Sequence, residues 1–265
     1  MIVYVAGIGV LGPGLEDNRQ AMEILGGDQE DLRLPVRAPE ARGLAPNEAR
    51  RCPTTARYAL DVGQQALRQA GWEADHVATV FSSGSGDLEI LDKNCRALAH
   101  PLPALSPTLF HNSVHNAAAG YWGIATGSHA ATTSLSAYDD SFVAGLLEAL
   151  LLVAPGNPCL LVAYDIPAPP ALATVRHVSA PFAVAFALTA DRPPDHAIRL
   201  DWRWESQGAG LAPSPLAGDL EALRLSNPAA RSLPLLWHMA RRISGFVTLP
   251  YLNDGRLQVH ITCDA

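Results

Sequence analysis

Short apolar runs alternate along this chain with segments of helical period. Residues 2–6 predict a buried strand, and the glycines Gly7, Gly9, Gly12 and Gly14 predict a turn leaving it. Residues 16–25 follow a helical pattern that stops at Gly26 and Gly27, and residues 28–53 are polar and rich in proline and arginine, the mark of an irregular excursion. Tyr58, Val62, Ala66, Leu67 and Ala70 share one helical face, with Thr54 or Thr55 as cap and Gly71 as stop. Further strands are predicted over 76–82, 129–136, 159–164, 182–189 and 257–262. Helices are predicted over 88–98, 112–121, 141–153 and 235–243, with loop over 205–233 and a proline-rich connection at 101–107. Strands alternating with helices predict an α/β fold on a mixed, largely parallel sheet.

The helix over 141–153 stands out. Phe142, Val143, Leu146, Leu147, Leu150, Leu151 and Val153 wrap most of the way round it, so it is buried on all sides. Exposing three leucine-sized side chains would cost roughly 5–9 kcal/mol, comparable to the stability of a domain. Either the segment 191–265 covers this helix or another subunit does. After residue 190 the strand–helix rhythm is lost, which divides the chain into a domain over 1–190 and a tail over 191–265 packed on it.

Composition narrows the function classes. Among 265 residues, 48% are hydrophobic and only 17% charged, enough apolar surface for a sizeable core. The net charge of −7, without a basic cluster, argues against a nucleic-acid partner or an anionic membrane surface. The longest apolar stretch, 142–155, is too short to span a bilayer, and the N-terminus carries no signal-peptide pattern. Cys52, Cys95, Cys159 and Cys263 lie far apart, as expected for reduced thiols in a cytoplasmic protein without structural zinc. No cofactor or metal is expected.

Four segments, in this order, resemble the thiolase-like β-ketoacyl synthases. They are Val5 to Pro13, Val77 to Gly86, the stretch Ser106-Pro107 to Asn116-Ala117-Ala118-Ala119-Gly120, and Thr133 to Ala144. The third is similar to the family's "S-P…N-x-x-A-G" loop and helix, and the fourth to its nucleophile turn "T-A-C-S-S-S-L-V-A". The resemblance covers about residues 1–190 and implies half of a ketosynthase fold. Aligned on Ser136-Ala137 and on Ser141 to Ala144, the cysteine of that turn is replaced by Tyr138, followed by Asp139 and Asp140. In a synthase the cysteine carries the acyl group at a helix N-terminus that favours thiolate. Two carboxylates there would raise a thiol's pKa, and a tyrosine with reference pKa near 10 is a poor nucleophile. The second half, with its histidine signatures, is also missing; His196, His238 and His260 have no family-like context.

This pattern resembles the short chain-length factors of aryl-polyene and related pathways. The resemblance implies a non-catalytic subunit paired with a full-length ketosynthase, and through it with an acyl carrier protein. It also implies that Phe110, His111, Asn112 and Val114 face the partner's acyl pocket.

Sharper readings meet simpler ones. Gly7-x-Gly9-x-x-Gly12 matches a dinucleotide fingerprint, but Pro13-Gly14 interrupts the helix that would hold the pyrophosphate, so a tight turn is preferred. His111 and His115, four apart, suit a shared metal but lack a third ligand. Ser83-Gly84-Ser85-Gly86 lacks the G-x-S-x-G elbow and reads as a strand-end turn. Asp139 and Asp140 read as helix-capping charges before a catalytic pair. Tyr138 is either an acyl-tunnel plug or a core tyrosine, and Trp202, Trp204 and Trp237 read as packing residues, candidates to cover the apolar helix. A standalone thioester-processing enzyme using Asp139, His111 and His115, and a homodimeric acyl-binding protein, remain the alternatives.

Overall fold

The computed structural model describes residues 2–27, 35–102, 104–153, 156–193, 197–206, 213–252 and 254–263. His196 and parts of the expected 28–53 excursion, 101–107 connection and 205–233 loop lie outside them. The elements run β1 (Ile2–Leu11), α1 (Asn18–Gly26), α2 (Pro46–Arg51), α3 (Thr54–Ala70), β2 (Ala78–Ser82), α4 (Leu88–Ala99), α5 (Pro107–His111), α6 (Ala117–Thr126) and β3 (Thr132–Leu135). Then come α7 (Ser141–Val153), β4 (Cys159–Asp165), β5 (Phe182–Thr189), β6 (Ile198–Glu205), α8 (Gly218–Ser226), α9 (Leu233–Arg241), β7 (Gly245–Tyr251) and β8 (Gly255–Cys263).

The described strands form one mixed sheet in the order β3-β2-β4-β5-β1-β6-β8-β7. Parallel pairing is confined to β3-β2-β4, where helices carry the chain back across the sheet between strands. The other five pairings are antiparallel. The alternation of strands and helices in the sequence therefore describes the parallel end well and the rest of the sheet poorly.

Two apolar layers flank the sheet. On one face α3 and α6 contribute Tyr58, Val62, Ala66, Tyr121 and Trp122 against Leu160, Val162 and Ala185. On the other face α7 shares a core with Leu25 of α1, Leu220 and Leu223 of α8, Leu236 of α9 and Val247 of β7. Residues beyond 190 thus cover much of α7, while Leu151 is 57% exposed, so the helix is not buried on all sides. Trp202 and Trp237 pack against this core, whereas Trp204 lies edge-on against Tyr251 and is partly exposed.

The glycine-rich opening is strand. β1 continues through Gly7 and Gly9 to Leu11, because α3 lies directly on it. A Cβ on Gly9 would stand 1.9 Å from the carbonyl oxygen of Val62, and one on Gly7 would stand 2.1 Å from that of Ala66. These glycines allow close approach of backbone to backbone rather than a turn. Residues 218–226 form a helix where loop was expected. Helix α6 starts at Ala117 rather than at 112, since Asn112 hydrogen-bonds elsewhere.

Candidate functional site

The turn between β3 and α7 carries Tyr138, Asp139 and Asp140. Tyr138 has φ +54°, a left-handed backbone that an aromatic residue seldom adopts. Its ring is 59% exposed, so it is not a core tyrosine. Ser141 fixes the turn from below: its hydroxyl accepts from the Ala137 amide at 2.9 Å and donates to the Tyr138 carbonyl at 2.7 Å.

The carboxylates do not cap α7. Asp139 pairs with Arg176 at 2.5 Å, Asp140 pairs with Arg231, and the Leu252 amide donates to Asp140 at 2.8 Å. Two guanidinium groups thus stand against the acidic turn. Arg176 comes from the connection between β4 and β5, and its side chain is only 9% exposed. Its Nε donates to Ser85 Oγ at 2.8 Å, and its guanidinium carbon stands 4.1 Å from the centre of the Tyr138 ring.

Beneath this turn lies the 83–86 turn at the end of β2. Ser83 is fully buried; its hydroxyl donates to Asp165 at 3.1 Å and accepts from the Gly86 amide at 3.0 Å. Asp165 also accepts from the Gly84 amide at 2.8 Å. Burial pushes the Asp165 carboxyl up to about 7, against the opposing pull of those hydrogen bonds and of Arg176.

Phe110 and Val114 are exposed, and His111 lines a groove of about 430 Å³ between α2, α5 and α6, with Val114, Tyr121 and Ile124 among its walls. Asn112 is placed differently from its neighbours. It is buried, donating to the Arg51 carbonyl at 2.8 Å and accepting from the Tyr121 hydroxyl at 3.2 Å, so its amide anchors the loop. His115 turns away from His111, with Nε2 3.1 Å from the Ser83 carbonyl oxygen. Among the described residues no group of three His, Cys, Asp or Glu side chains is placed to hold a metal. No described helix is long and apolar enough to cross a membrane.

Arg176, Arg231 and Asp165 were not singled out in the sequence. Asp165 had a visible signal, a lone acid closing an otherwise apolar strand. The arginines had none, because they reach the turn from distant segments.

A family model described as the N-terminal domain of β-ketoacyl synthase matches residues 28–230. The chain belongs to that β-ketoacyl synthase family. Among solved structures, it is similar to the ketosynthase ApeO in complex with its chain length factor ApeC from Xenorhabdus doucetiae, at 23% identity and a TM-score of 0.74, covering 98% of this chain and 99% of that one. It is also similar to the ishigamide ketosynthase/chain length factor, at 13% identity and a TM-score of 0.72, with both chains covered completely. A third likeness is to AntDE:AntF, a type II polyketide synthase acyl-carrier protein in complex with its ketosynthase, at 11% identity and a TM-score of 0.77, with 99% of each chain covered. No curated protein matches. These likenesses establish a ketosynthase-type fold.

Thiol chemistry in this family member is accessible to test. Burial pushes Cys52 and Cys159 up to about 12, while Cys95 is exposed on α4. With an aromatic disulfide reagent, Cys95 is expected to react first, and Cys52 and Cys159 only on unfolding. A fast phase that survives the double change Cys95→Ser and Cys263→Ser contradicts this assignment, Cys263 being half-buried.

Proposed function

We propose that this protein is a chain-length-factor-like subunit that pairs with an active ketosynthase and does not itself condense acyl units. The observation that carries this reading is Tyr138, which occupies the strained turn before α7, where the family places its cysteine. None of the four cysteines lies in that turn. The exposed apolar group of Phe110, Val114 and Ile124 around the α2–α5–α6 groove supports a partner-facing role. Asn112 holds the loop so that Phe110 and His111 project from it. In this reading the partner's growing chain ends against them, and the acyl carrier protein is met through the partner.

Co-expression with a ketosynthase encoded beside it tests the proposal. A stable complex is expected, with Phe110→Asp breaking it and Phe110→Ala lengthening the product. A protein that stays separate from the ketosynthase, or products of unchanged length, overturns the reading. A purified chain that turns over acyl thioesters alone favours the enzyme alternative, and a homodimeric mass favours the acyl-binding one.

A further inference from the structure

Two large apolar side chains at the candidate site stand on backbone that favours glycine. Tyr138 has φ +54° and is 59% exposed. Leu252, in the hairpin turn between β7 and β8, has φ +55° and is 63% exposed. One carboxylate ties the two together. Asp140, two residues after Tyr138, accepts from the Leu252 amide at 2.8 Å through Oδ2 and pairs with Arg231 through Oδ1. On the chain-length-factor reading, on which this inference rests, we propose that Tyr138 and Leu252 form one contact surface for the ketosynthase partner, so that the β7–β8 hairpin takes part in docking.

The fold by itself gives little reason for these side chains. A left-handed backbone is costly for a residue with a Cβ, and a side chain left mostly in water returns little of that cost. For Tyr138 part of it is offset by Arg176, whose guanidinium carbon lies 4.1 Å from the ring centre. Leu252 stands at a turn position where Gly, Asn or Asp is the usual choice. The surroundings suit contact with a protein. Asp139 faces Arg176 and Asp140 faces Arg231, so a partner would cover no unpaired carboxylate of this turn. The hairpin is braced at its base: Trp204 lies edge-on against Tyr251 with ring centres 5.7 Å apart, and a Cβ on Gly255 would stand 2.3 Å from the Trp204 ring. A braced turn loses little freedom on binding. The patch also runs on from the exposed group at Phe110 and Val114. His115, next to Val114, brings Nε2 to 3.1 Å from the Ser83 carbonyl oxygen, and a Cβ on Gly84 would stand 2.7 Å from the Tyr138 carbonyl oxygen. From Tyr138 the path continues through Asp140 to Leu252. This continuity assigns the patch to the same partner rather than to a second copy of the chain.

Leu252→Gly separates a docking role from a structural one, because glycine suits φ +55°. Its melting temperature is expected to be unchanged or higher. Its affinity for the ketosynthase, measured by titrating the purified proteins, is expected to fall about tenfold or more. Unchanged affinity overturns the inference, and if Phe110→Asp still breaks the complex, the chain-length-factor reading stands without it. A natural protein that binds no ketosynthase overturns both. A lowered melting temperature in Leu252→Gly also overturns the inference, since the leucine then serves the fold. So does a natural chain that self-associates and is separated by Leu252→Gly, since the surface then belongs to a second copy.

Discussion

Gly9→Ala is expected to be the most damaging single methyl addition in this protein, lowering stability by about 3 kcal/mol or more. The added carbon would lie 1.9 Å from the Val62 carbonyl oxygen and 2.7 Å from its carbonyl carbon. Those are backbone atoms in the middle of α3, so no side chain can swing aside. Either α3 withdraws from the sheet or β1 bends away from β5. Both open the layer formed by Tyr58, Val62, Ala66 and Ala185. Val10→Ala is the control: it deletes two methyl groups from a buried site on the same strand and should cost about 2 kcal/mol. Denaturant melts read by circular dichroism check both. A Gly9→Ala protein as stable as the parent would show that the helix does not rest on β1 as described.

The second large effect concerns Asp165. Its carboxyl lies at about 7 in the folded protein, against a reference value of 3.8. Between those values the folded state holds a proton that the unfolded chain releases, so stability falls as pH rises. The contribution is fully present below about pH 4 and is lost by the time pH has passed about 7, a difference of about 4 kcal/mol. Asp165→Asn retains an oxygen to accept from Gly84 and Ser83 but cannot ionise. Relative to the natural protein, it should gain about 4 kcal/mol between about pH 4 and about pH 8. Denaturant midpoints across that range measure it directly. Parallel pH profiles for the two proteins would show that Asp165 ionises normally.

What was legible in the sequence depended on how local the cause was. Helix α3 and its stop at Gly71 follow from periodicity and a left-handed cap, with the Trp72 amide bonded to the Leu67 carbonyl. Strands β4 and β5 are continuous apolar runs, buried throughout as such runs imply. The turn at Tyr138 was locatable because it sits between recognisable segments. By contrast, the glycines of β1 carry a turn signal that tertiary contact with α3 overrides. The arginines that face the turn were not legible, since Arg176 and Arg231 lie 37 and 92 residues beyond Asp139 (176 − 139 and 231 − 139) and meet it only in the fold. Asn112 looked like a member of an exposed loop, and nothing local reveals that its amide turns inward to Arg51.

The place of β1 in the sheet has a consequence for biosynthesis. Its neighbours are β5 and β6, which begin at Phe182 and Ile198. At about 5–20 residues per second, β1 waits roughly 10–40 s for the last of its partners to leave the ribosome. Throughout that interval ten largely apolar residues, Ile2–Leu11, have no ladder to join. Ladders so distant in sequence form slowly once the chain is free. The yield of folded protein should therefore depend on slow translation, low temperature or a holding chaperone more than on the stability of the finished structure.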